Sequence, residues 1–370
     1  MKYYIIAGEA SGDMHGANLL KELKLLDNNA AFRCWGGDRM KSAGGEIVKH
    51  YRELAFMGFT EVILNLRTIL RNISFCKDDI LEWKPDVLIL IDYPGFNLRI
   101  AEFAKKNSIR VVYYISPQVW AWKQSRVEKI KRFVDMMLVI LPFEKEFYKK
   151  FNYDVEYVGH PLLDEIISQE KNTDANWKRK NGLDDKLVIA LLPGSRVQEI
   201  KQMLPLMLSV IHKFPDYHFA VSIAPSVDEQ LIKTICEGFP VKFIANDSYS
   251  LLRNSYAALV TSGTATLETA LFKVPEVVCY KGGNVSYMIA RQLVNVKYIS
   301  LVNLIMEKEV VKELIQSELT AKNIATELEK ILNSEKRKEV LKSYEELREK
   351  LGGSGASARV AGLIWQTMSN

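Results

Sequence analysis

Asp92 is the residue of this chain that is best placed to do acid–base chemistry. It stands in the segment IDYPGFN, directly after the apolar run Val87–Ile91. A run that is apolar at every position predicts a strand buried on both faces of a parallel sheet, and ligand sites form beyond the carboxyl ends of such strands. A carboxylate in a partly apolar cleft can have a raised pKa and serve as a general base. The plainer alternative is a carboxylate that caps the next turn.

A second loop, GEASGD at 8–13, follows the apolar run Tyr3–Ala7 and precedes a helical pattern. Its glycines let the backbone turn tightly and approach a ligand closely, whereas its two carboxylates would repel a pyrophosphate. A sugar suits this loop better, although an ordinary strand-to-helix turn is equally compatible with the spacing. The residues that would contact such a ligand are Gly8, Glu9, Ser11, Gly12 and Asp13.

Two tryptophans, Trp120 and Trp122, follow the apolar run Val111–Ile115 in the segment SPQVWAWK. Indole rings offer flat apolar surface to sugar rings or acyl chains. The predicted helix Arg126–Phe133 comes next and is rich in lysine and arginine, which can meet phosphate or anionic lipid headgroups. A core aromatic pair beside a solvated cationic face is the alternative, and for the basic residues alone it is the favoured one.

The second half of the chain carries two motifs suited to a nucleotide. Gly194 and Ser195 follow the run Leu187–Leu192 and can present backbone N–H groups, and Arg196 can hold a phosphate through two parallel hydrogen bonds. Glu268 can accept hydrogen bonds from ribose hydroxyls; it forms no capping box, because the residue three places earlier is alanine. The start of the predicted helix before Glu268 could bind phosphate through free N–H groups. The residues of that helix start are Ser262, Gly263, Thr264, Ala265 and Thr266.

The elements that must position these residues alternate between short apolar runs and helical patterns, which predicts βαβ units and parallel sheets. The chain has 370 residues, about twice a typical domain, and a polar segment at 166–186 separates two such series. We therefore predict two Rossmann-like, doubly wound α/β domains that face each other across a cleft. The first domain comprises 1–165 and is joined by a C-terminal helix at 345–370; the second comprises 166–344.

Strands and helices are predicted from the same patterns. The predicted strands are 3–7, 87–91, 111–115, 137–141, 187–192, 219–223, 242–244, 257–260 and 277–280. The predicted helices of the first half are 15–26, 62–73, 98–107 and 126–133, and those near the end of the chain cover 320–346 and 356–368.

Composition excludes several classes of protein. A net charge of +5 is mild for this length and does not indicate nucleic acid. The four cysteines form no CxxC pair and the five histidines have no metal-ligand spacing, so we predict neither a metal nor a disulfide framework. No run of eighteen apolar residues exists, and the apolar N-terminal run is too short for a signal peptide. Any contact with a membrane would be peripheral.

One segment, Phe56–Ile73, combines apolar residues at helical spacing with Arg67 and Arg71. An apolar face edged with arginine can lie in a bilayer interface or hold acyl chains, whereas periodicity alone favours an ordinary core helix. The candidate membrane-contact residues are Phe59, Val62, Ile63, Leu66, Ile69 and Leu70.

Together these motifs resemble the lipid-A-disaccharide synthases, which are glycosyltransferases of the two-Rossmann-domain (GT-B) type. The resemblance runs nearly from end to end, and although each motif is short, their order and distances make it specific. The motifs are Ala7–Asp13, Glu53–Gly58, Lys84–Asn97, Tyr114–Trp122, Leu141–Phe147, Gly159–Pro161, Leu191–Arg196, Ser262–Glu268 and Leu301–Leu304.

The resemblance implies an inverting glycosyl transfer. UDP-2,3-diacylglucosamine would donate its sugar to the 6-hydroxyl of 2,3-diacylglucosamine 1-phosphate (lipid X), giving a β-1,6-linked tetraacyl disaccharide 1-phosphate and UDP in lipid A biosynthesis. Asp92 would be the base, and Arg196, Glu268 and Asn303 would belong to the UDP site. The loop at 8–13 would line the acceptor side. The resemblance implies no metal and no cofactor.

Two positions depart from the family pattern. Gly95 stands where some relatives have a second aspartate, so Asp92 alone would serve as base in its motif. Val197 stands where some relatives have another arginine, so diphosphate binding would depend more heavily on Arg196 and on backbone N–H groups.

The resemblance also changes the interpretation of Phe56–Ile73, because both substrates carry acyl chains. It favours an apolar contact surface and a cytoplasmic enzyme attached peripherally to the inner face of the inner membrane of a Gram-negative bacterium. It is also compatible with a homodimer that exchanges the C-terminal part of the chain.

Two other functions remain open at this stage. A UDP-sugar 2-epimerase has the same two-domain plan, but it leaves Trp120, Trp122 and the apolar segment unexplained. A non-catalytic UDP-sugar-binding or lipid-binding protein would not need Asp92.

Overall fold

The computed structural model describes residues 1–54, 66–121, 124–170, 174–282 and 297–369. They form two compact units, Met1–Asp164 with Gly353–Asn370, and Glu165–Gly352. The sequence placed the corresponding boundaries at 165/166 and 344/345. The second of these falls inside a helix, Ser334–Lys350, that the structure assigns wholly to the second unit.

The strands of both units are parallel and have these bounds. They are β1 (Lys2–Ala7), β2 (Ala31–Gly36), β3 (Glu46–His50), β4 (Val87–Ile91), β5 (Arg110–Tyr114), β6 (Met136–Val139), β7 (Glu156–Tyr157), β8 (Leu187–Leu192), β9 (Tyr217–Ile223), β10 (Val241–Ala245), β11 (Ser255–Thr261), β12 (Glu276–Tyr280) and β13 (Lys312–Ile315).

The α-helices within the described ranges are the following. They are α1 (Ala10–Leu26), α2 (Asp38–Ser42), α3 (Leu66–Trp83), α4 (Pro94–Lys106), α5 (Arg126–Phe133), α6 (Glu144–Lys149), α7 (Leu162–Glu170), α8 (Trp177–Lys180), α9 (Val197–Leu208), α10 (Glu229–Ile235), α11 (Ser248–Arg253), α12 (Thr264–Leu271), α13 (Leu301–Met306), α14 (Ala321–Leu332), α15 (Ser334–Lys350) and α16 (Ala356–Ser369).

Each unit is built on one parallel sheet, and the two sheets share a strand order. The described strands of the first unit run β3-β2-β1-β4-β5-β6-β7, and those of the second run β10-β9-β8-β11-β12-β13. In both sheets the order reverses at a central pair, β1 with β4 and β8 with β11. Ligands bind beyond the carboxyl ends of the strands at such a reversal. The predicted pair of doubly wound α/β domains is confirmed.

The first sheet is covered on both faces, which explains why its central strands are apolar throughout. In β1, Tyr4 and Ile6 pack in the core that includes side chains of α3, α4 and α5. Tyr3 and Ile5 alternate with them and are equally buried. Side chains alternate across a strand, so both faces of β1 lie against other elements.

Helix α16 returns the chain to the first unit, as the sequence predicts. It packs on α1, and its side chains Ala356, Val360 and Ile364 are fully buried. Asp164 fixes its start, because the carboxylate accepts hydrogen bonds from the backbone N–H groups of Gly355 and Ser357, the latter at 3.0 Å. Free N–H groups at a helix start need such an acceptor.

The sequence patterns miss four strands that lie at or next to a sheet edge, β2, β3, β7 and β13. Each of them is short or interrupted by charged residues, so no continuous apolar run marks it. The helix predicted at 62–73 is observed as α3, which begins at Leu66 and continues to Trp83. Residues 62–65 of that prediction lie outside the described residues.

Candidate active site

The structure brings the sequence motifs to the two strand-order reversals. In the first sheet Ala7 of β1 pairs with Ile91 of β4, so the loop that begins at Gly8 and the one that begins at Asp92 leave the sheet side by side. In the second sheet Leu192 pairs with Val260. The segments Pro193–Arg196 and Ser262–Glu268 therefore leave neighbouring strands too. The fold thus positions four of the five motifs at expected ligand sites.

Asp92 lies at the end of β4 in an unusual backbone conformation. Its φ is +43° and that of Tyr93 is +50°, so two consecutive residues, neither of them a glycine, occupy the left-handed region. Burial and, secondly, the negative charge of Glu9 raise the pKa of the Asp92 carboxyl to about 7, although a hydrogen bond from the backbone of Tyr93 opposes the shift. A pKa near neutrality suits a general base.

Gly8 is required by the ring of Tyr93. A Cβ atom at position 8 would lie 2.4 Å from Cγ of Tyr93, a separation that no side chain can accept. The ring stacks on Phe96 at 5.6 Å, and the Tyr93 hydroxyl donates to the carbonyl of Leu54 at 3.4 Å. Gly8 therefore lets the segment after β1 lie directly against the segment that carries Asp92.

The other residues of the loop at 8–13 are partly exposed and partly buried. Glu9 is half-buried and precedes α1, and Ser11 is exposed. Gly12 is packed so tightly that an added Cβ would lie 3.1 Å from that of Ala7. Asp13 is buried, and its carboxylate accepts three backbone N–H groups of the loop that starts α2, from Gly37 at 2.7 Å and from Arg39 and Met40 at 3.1 Å each. Asp13 therefore holds a neighbouring loop.

Trp120 is buried, and its ring packs edge-on against Phe143 with 5.0 Å between the ring centres. The core interpretation of this indole is the one that its geometry favours. Trp122 lies outside the described residues. Near Trp120 lies Glu144, a residue of the motif Leu141–Phe147 to which the sequence assigned no role. It is a buried carboxyl that accepts the backbone N–H of Leu141 at 2.9 Å, and burial raises its pKa to about 8.

In the second unit, the loop after β8 exposes a cation. Gly194 has φ of +107°, a conformation that favours glycine. Arg196 precedes α9, is more than half exposed, and lies 3.2 Å from the carboxylate of Glu199. Val197, at the position of a second arginine in some relatives, is also exposed. The guanidinium of Arg196 could therefore meet an anion from solvent.

The loop after β11 leads into α12. Gly263 and Thr264 are exposed, whereas Thr266 is buried and its hydroxyl donates to the carbonyl of Gly263 at 2.8 Å. The Ser262 hydroxyl donates to the carbonyl of Ile299 at 3.1 Å. Backbone N–H groups at such a helix start can receive an anion. Ala265 follows within the first turn and is half-buried.

Glu268 lies on α12 and is half-buried. Burial raises the pKa of its carboxyl to about 7, while the hydroxyl of Tyr249, which donates to the carboxylate at 3.3 Å, works against that shift. The negative charge of Glu165 raises the pKa further. Hydroxyl groups of a ligand are suitable partners for a carboxylate in this setting.

Asn303 is fully buried and bound on all sides by its own unit. Its amide nitrogen donates to the carbonyl of Val311 and to Glu313, at 2.8 and 2.9 Å. Its amide oxygen accepts the backbone N–H groups of Val310 and Val311, at 2.8 and 3.0 Å. A donor-site role for Asn303 would therefore act through the α13–β13 connection that it holds.

In the apolar segment and just after it, some of the described apolar side chains are exposed and others are buried. Leu70 is 52% exposed and Phe75 is 46% exposed, whereas Ile73 is buried and Ile69 packs partly against the core of the first unit. Phe59, Val62 and Ile63 lie outside the described residues, as does the side chain of Leu66. Among the described helices none is long and apolar enough to cross a membrane.

Within the same described ranges, no group of three His, Cys, Asp or Glu side chains is arranged to hold a metal ion. A Cβ atom at Gly95 would meet nothing within 4 Å, so packing does not forbid a side chain at this position.

The fold is that of the GT-B glycosyltransferases and of related two-Rossmann-domain enzymes. A Neisseria meningitidis UDP-GlcNAc 2-epimerase bound to UDP-GlcNAc aligns with a TM-score of 0.67 and 15% identity over all of both chains. The glycotransferase of kitacinnamycin aligns with a TM-score of 0.66 and 14% identity over 99% of both chains. At these identities the likeness shows the fold alone.

Sequence comparison identifies the family. The model described as lipid-A-disaccharide synthetase matches residues 3–363. The lipid-A-disaccharide synthase of Syntrophus aciditrophicus is 41% identical over 365 residues, which cover 96% of this chain and 95% of that protein. The one from Myxococcus xanthus is 38% identical over 365 residues, covering 96% and 95%. The chain belongs to the lipid-A-disaccharide synthase family, whose members are glycosyltransferases.

Proposed function

We propose that this protein transfers the sugar of UDP-2,3-diacylglucosamine to 2,3-diacylglucosamine 1-phosphate (lipid X), as a lipid-A-disaccharide synthase. The observation that carries the proposal is a carboxyl with a pKa of about 7 at the strand-order reversal of the first sheet, in a chain that belongs to this family. Glu9, Arg196 and Glu268 are the other described residues whose settings support it.

Asp92 acts as the general base. It removes the proton of the acceptor 6-hydroxyl while the oxygen attacks the anomeric carbon of the donor sugar. The bond from that carbon to the diphosphate oxygen breaks, and its electron pair leaves on UDP. One displacement inverts the configuration, so the α-linked donor gives a β-1,6 linkage, and no covalent intermediate is needed. A positioned base of this kind contributes about 10²–10⁴-fold to the rate.

The second unit binds UDP. Arg196 and the backbone N–H groups near Gly194 and Ser195 neutralise the charge on the departing diphosphate. The helix start at Ser262–Thr266 adds further N–H groups, and Glu268 accepts hydrogen bonds from ribose. In this proposal the stabilisation of UDP requires no metal ion.

The first unit receives the acylated acceptor at the membrane. Gly8, Glu9 and Ser11 line its sugar, and the exposed part of α3 with the segment before it contacts lipid at the inner face of the inner membrane. Exposed apolar side chains beside Arg67 and Arg71 support this contact with lipid, because such a surface favours anionic lipid.

Replacement of the base tests the reaction. Asp92→Asn should lower turnover by at least about 100-fold, because the amide cannot accept the proton, and should leave UDP binding unchanged. Asp86→Asn is the matched control, since Asp86 lies just before the amino end of the same strand, where it accepts the backbone N–H of Lys2. Turnover would be measured in detergent micelles with EDTA, by mass spectrometry of the disaccharide phosphate.

Three results would contradict parts of the proposal. Near-normal turnover of Asp92→Asn would remove Asp92 from the role of base. Turnover that EDTA abolishes would reintroduce a metal. Epimerised donor without disaccharide, from the wild-type protein, would overturn the transferase assignment in favour of an epimerase.

A further inference from the structure

The backbone that carries Asp92 is held in a conformation that it would not adopt unaided. Asp92 and Tyr93 both have φ in the left-handed region, at +43° and +50°. For residues other than glycine this region is disfavoured, and it persists where surrounding contacts over-determine it. The direction of the Asp92 carboxylate depends on this conformation, because the Cα–Cβ bond turns with the backbone.

Two buried side chains converge on the carbonyl oxygen of Asp92. Asn97 donates its amide to this oxygen at 2.7 Å and to the carbonyl of Ile91 at 3.2 Å. The hydroxyl of Tyr113 donates to the same Asp92 oxygen at 2.6 Å. Both side chains are fully buried. A third contact, from the Asp92 N–H to the carbonyl of Tyr114 at 3.2 Å, fastens the other side of the residue.

The donors come from separate elements. Asn97 lies in the first turn of α4, and Tyr113 lies in β5, which pairs with β4 so that Tyr113 is opposite Leu90. Within the described residues the amide oxygen of Asn97 has no hydrogen-bond partner. An unsatisfied buried amide oxygen costs free energy. The contacts of the amide nitrogen therefore account for asparagine at this position.

We propose that Asn97 and Tyr113 are positioning residues for the reaction, and that they aim the Asp92 carboxylate at the acceptor hydroxyl by holding the carbonyl of Asp92. This inference rests on the proposed function, which makes Asp92 the base and supplies the acceptor. Two directed hydrogen bonds on one peptide group fix its plane, and small misplacements of a catalytic group cost large factors in rate. The two side chains act through Asp92 and touch no reacting atom.

Tyr113→Phe is the sharpest test, because it removes one hydroxyl and keeps the ring. We expect kcat to fall by about 10-fold or more while KM for the UDP-sugar stays unchanged. Tyr4→Phe is the matched control: Tyr4 is also fully buried in the first sheet, and its hydroxyl donates to Asp79 at 2.6 Å, away from Asp92. Equal losses of kcat in the two variants would overturn the proposal, because they would reflect lost stability.

Asn97→Asp provides the second variant. It keeps the shape of the side chain but removes the amide donor, so kcat should fall at least as far as in Tyr113→Phe. If this variant does not fold, the kcat of Tyr113→Phe and the titration of the Asp92 carboxyl test the proposal. Wild-type kcat in a folded Asn97→Asp protein would overturn the role of Asn97.

A titration separates this inference from the reaction itself. Carbon-13 NMR of aspartate-labelled protein, with the Asp92 signal assigned through Asp92→Asn, reports the carboxyl without any substrate. Release of the carbonyl in Tyr113→Phe should let the carboxyl turn towards water, so its pKa should fall from about 7 towards the ordinary range, and Tyr4→Phe should leave it unchanged. An unchanged titration in Tyr113→Phe would overturn the positioning role. Failure of the wild-type protein to make disaccharide would overturn only the proposed function.

Discussion

Asp92 combines a raised pKa with a constrained backbone. Burial is the larger cause of the raised pKa, and the charge of Glu9 adds to it. Because a base must be ionised to accept a proton, activity should be low below pH about 7 and reach a plateau above it.

Glu9→Gln should move that profile to lower pH. Removing a neighbouring negative charge favours ionisation of Asp92, so its pKa falls and the midpoint of kcat/KM against pH falls with it. Glu22→Gln, near the other end of α1, is the control and should leave the midpoint where it is. A midpoint that stays at the wild-type value in Glu9→Gln would show that Glu9 does not influence the base.

Residue types in the sequence identified candidate groups but not the partners of those groups. Asp92 and Glu9 follow the paired strands β4 and β1, whereas the apolar runs alone do not specify which strands are neighbours. The sequence could not show that Asp13 serves the loop before α2 or that Asn303 is bound on all sides. Such roles depend on hydrogen bonds between residues that are distant in the chain, and no local pattern records them. Asn97 lies in a recognised motif, yet only the structure reveals what its amide contacts.

At the scale of elements, α3 separates buried from exposed apolar residues within about three turns. Its buried side includes Ile73, Cys76 and Ile80, and its exposed residues include Leu70 and Phe75. The periodicity of the sequence predicts the helix. It does not show which apolar residues contact the core and which are free to contact another apolar surface. The exposed residues are the ones that a membrane could cover.

Leu70→Ser should therefore weaken binding to vesicles that contain anionic lipid and leave folding intact. The side chain is exposed, so its loss should change the free energy of unfolding by less than about 0.5 kcal/mol. Ile73→Ser is the contrasting variant: it buries a hydroxyl in the core and should destabilise the fold by about 2–4 kcal/mol. Vesicle sedimentation and urea unfolding give the two readings. Undiminished sedimentation of Leu70→Ser would exclude this residue from the membrane contact.

The elements that the sequence missed also have a physical explanation. The central strands β1, β4 and β8 are buried on both faces and form continuous apolar runs. By contrast, β2 next to one sheet edge carries arginine, and β13 at an edge carries lysine and glutamate. Arg33 of β2 is an example, since its guanidinium binds Asp79 of α3 through hydrogen bonds of 2.6–3.1 Å. Pairing with a neighbouring strand determines these elements more than their own composition does.

At the scale of the whole molecule, both connections between the units meet at one side chain. The first connection lies at residues 164/165 and the second at 352/353. Asp164 is the last residue of the first unit before the first connection. Its carboxylate accepts the N–H groups at the start of α16, which begins just after the second connection. A single carboxylate therefore fastens both connections to the first unit.

Asp164→Ala should loosen α16. Loss of a helix-capping carboxylate costs about 0.5–2 kcal/mol, and here the cost should appear in the first unit. Hydrogen exchange of the amides at 356–369 and in α1 should become faster. Asp228→Ala is the control, because Asp228 caps α10 through the N–H of Gln230 at 2.9 Å and should affect only that helix. Unchanged exchange in α16 after Asp164→Ala would show that packing alone holds the helix.

The return of α16 has a consequence for the nascent chain. Asp164 and Ser357 are 193 positions apart, and the entire second unit is translated between them. The ribosome therefore releases almost all of the first sheet long before the helix that covers α1 exists. A domain that waits for a distant segment exposes apolar surface in the meantime, and such intermediates are prone to aggregate. Slow passage of the second unit through the exit tunnel would lengthen that interval, so the first unit would stay longer in its aggregation-prone form.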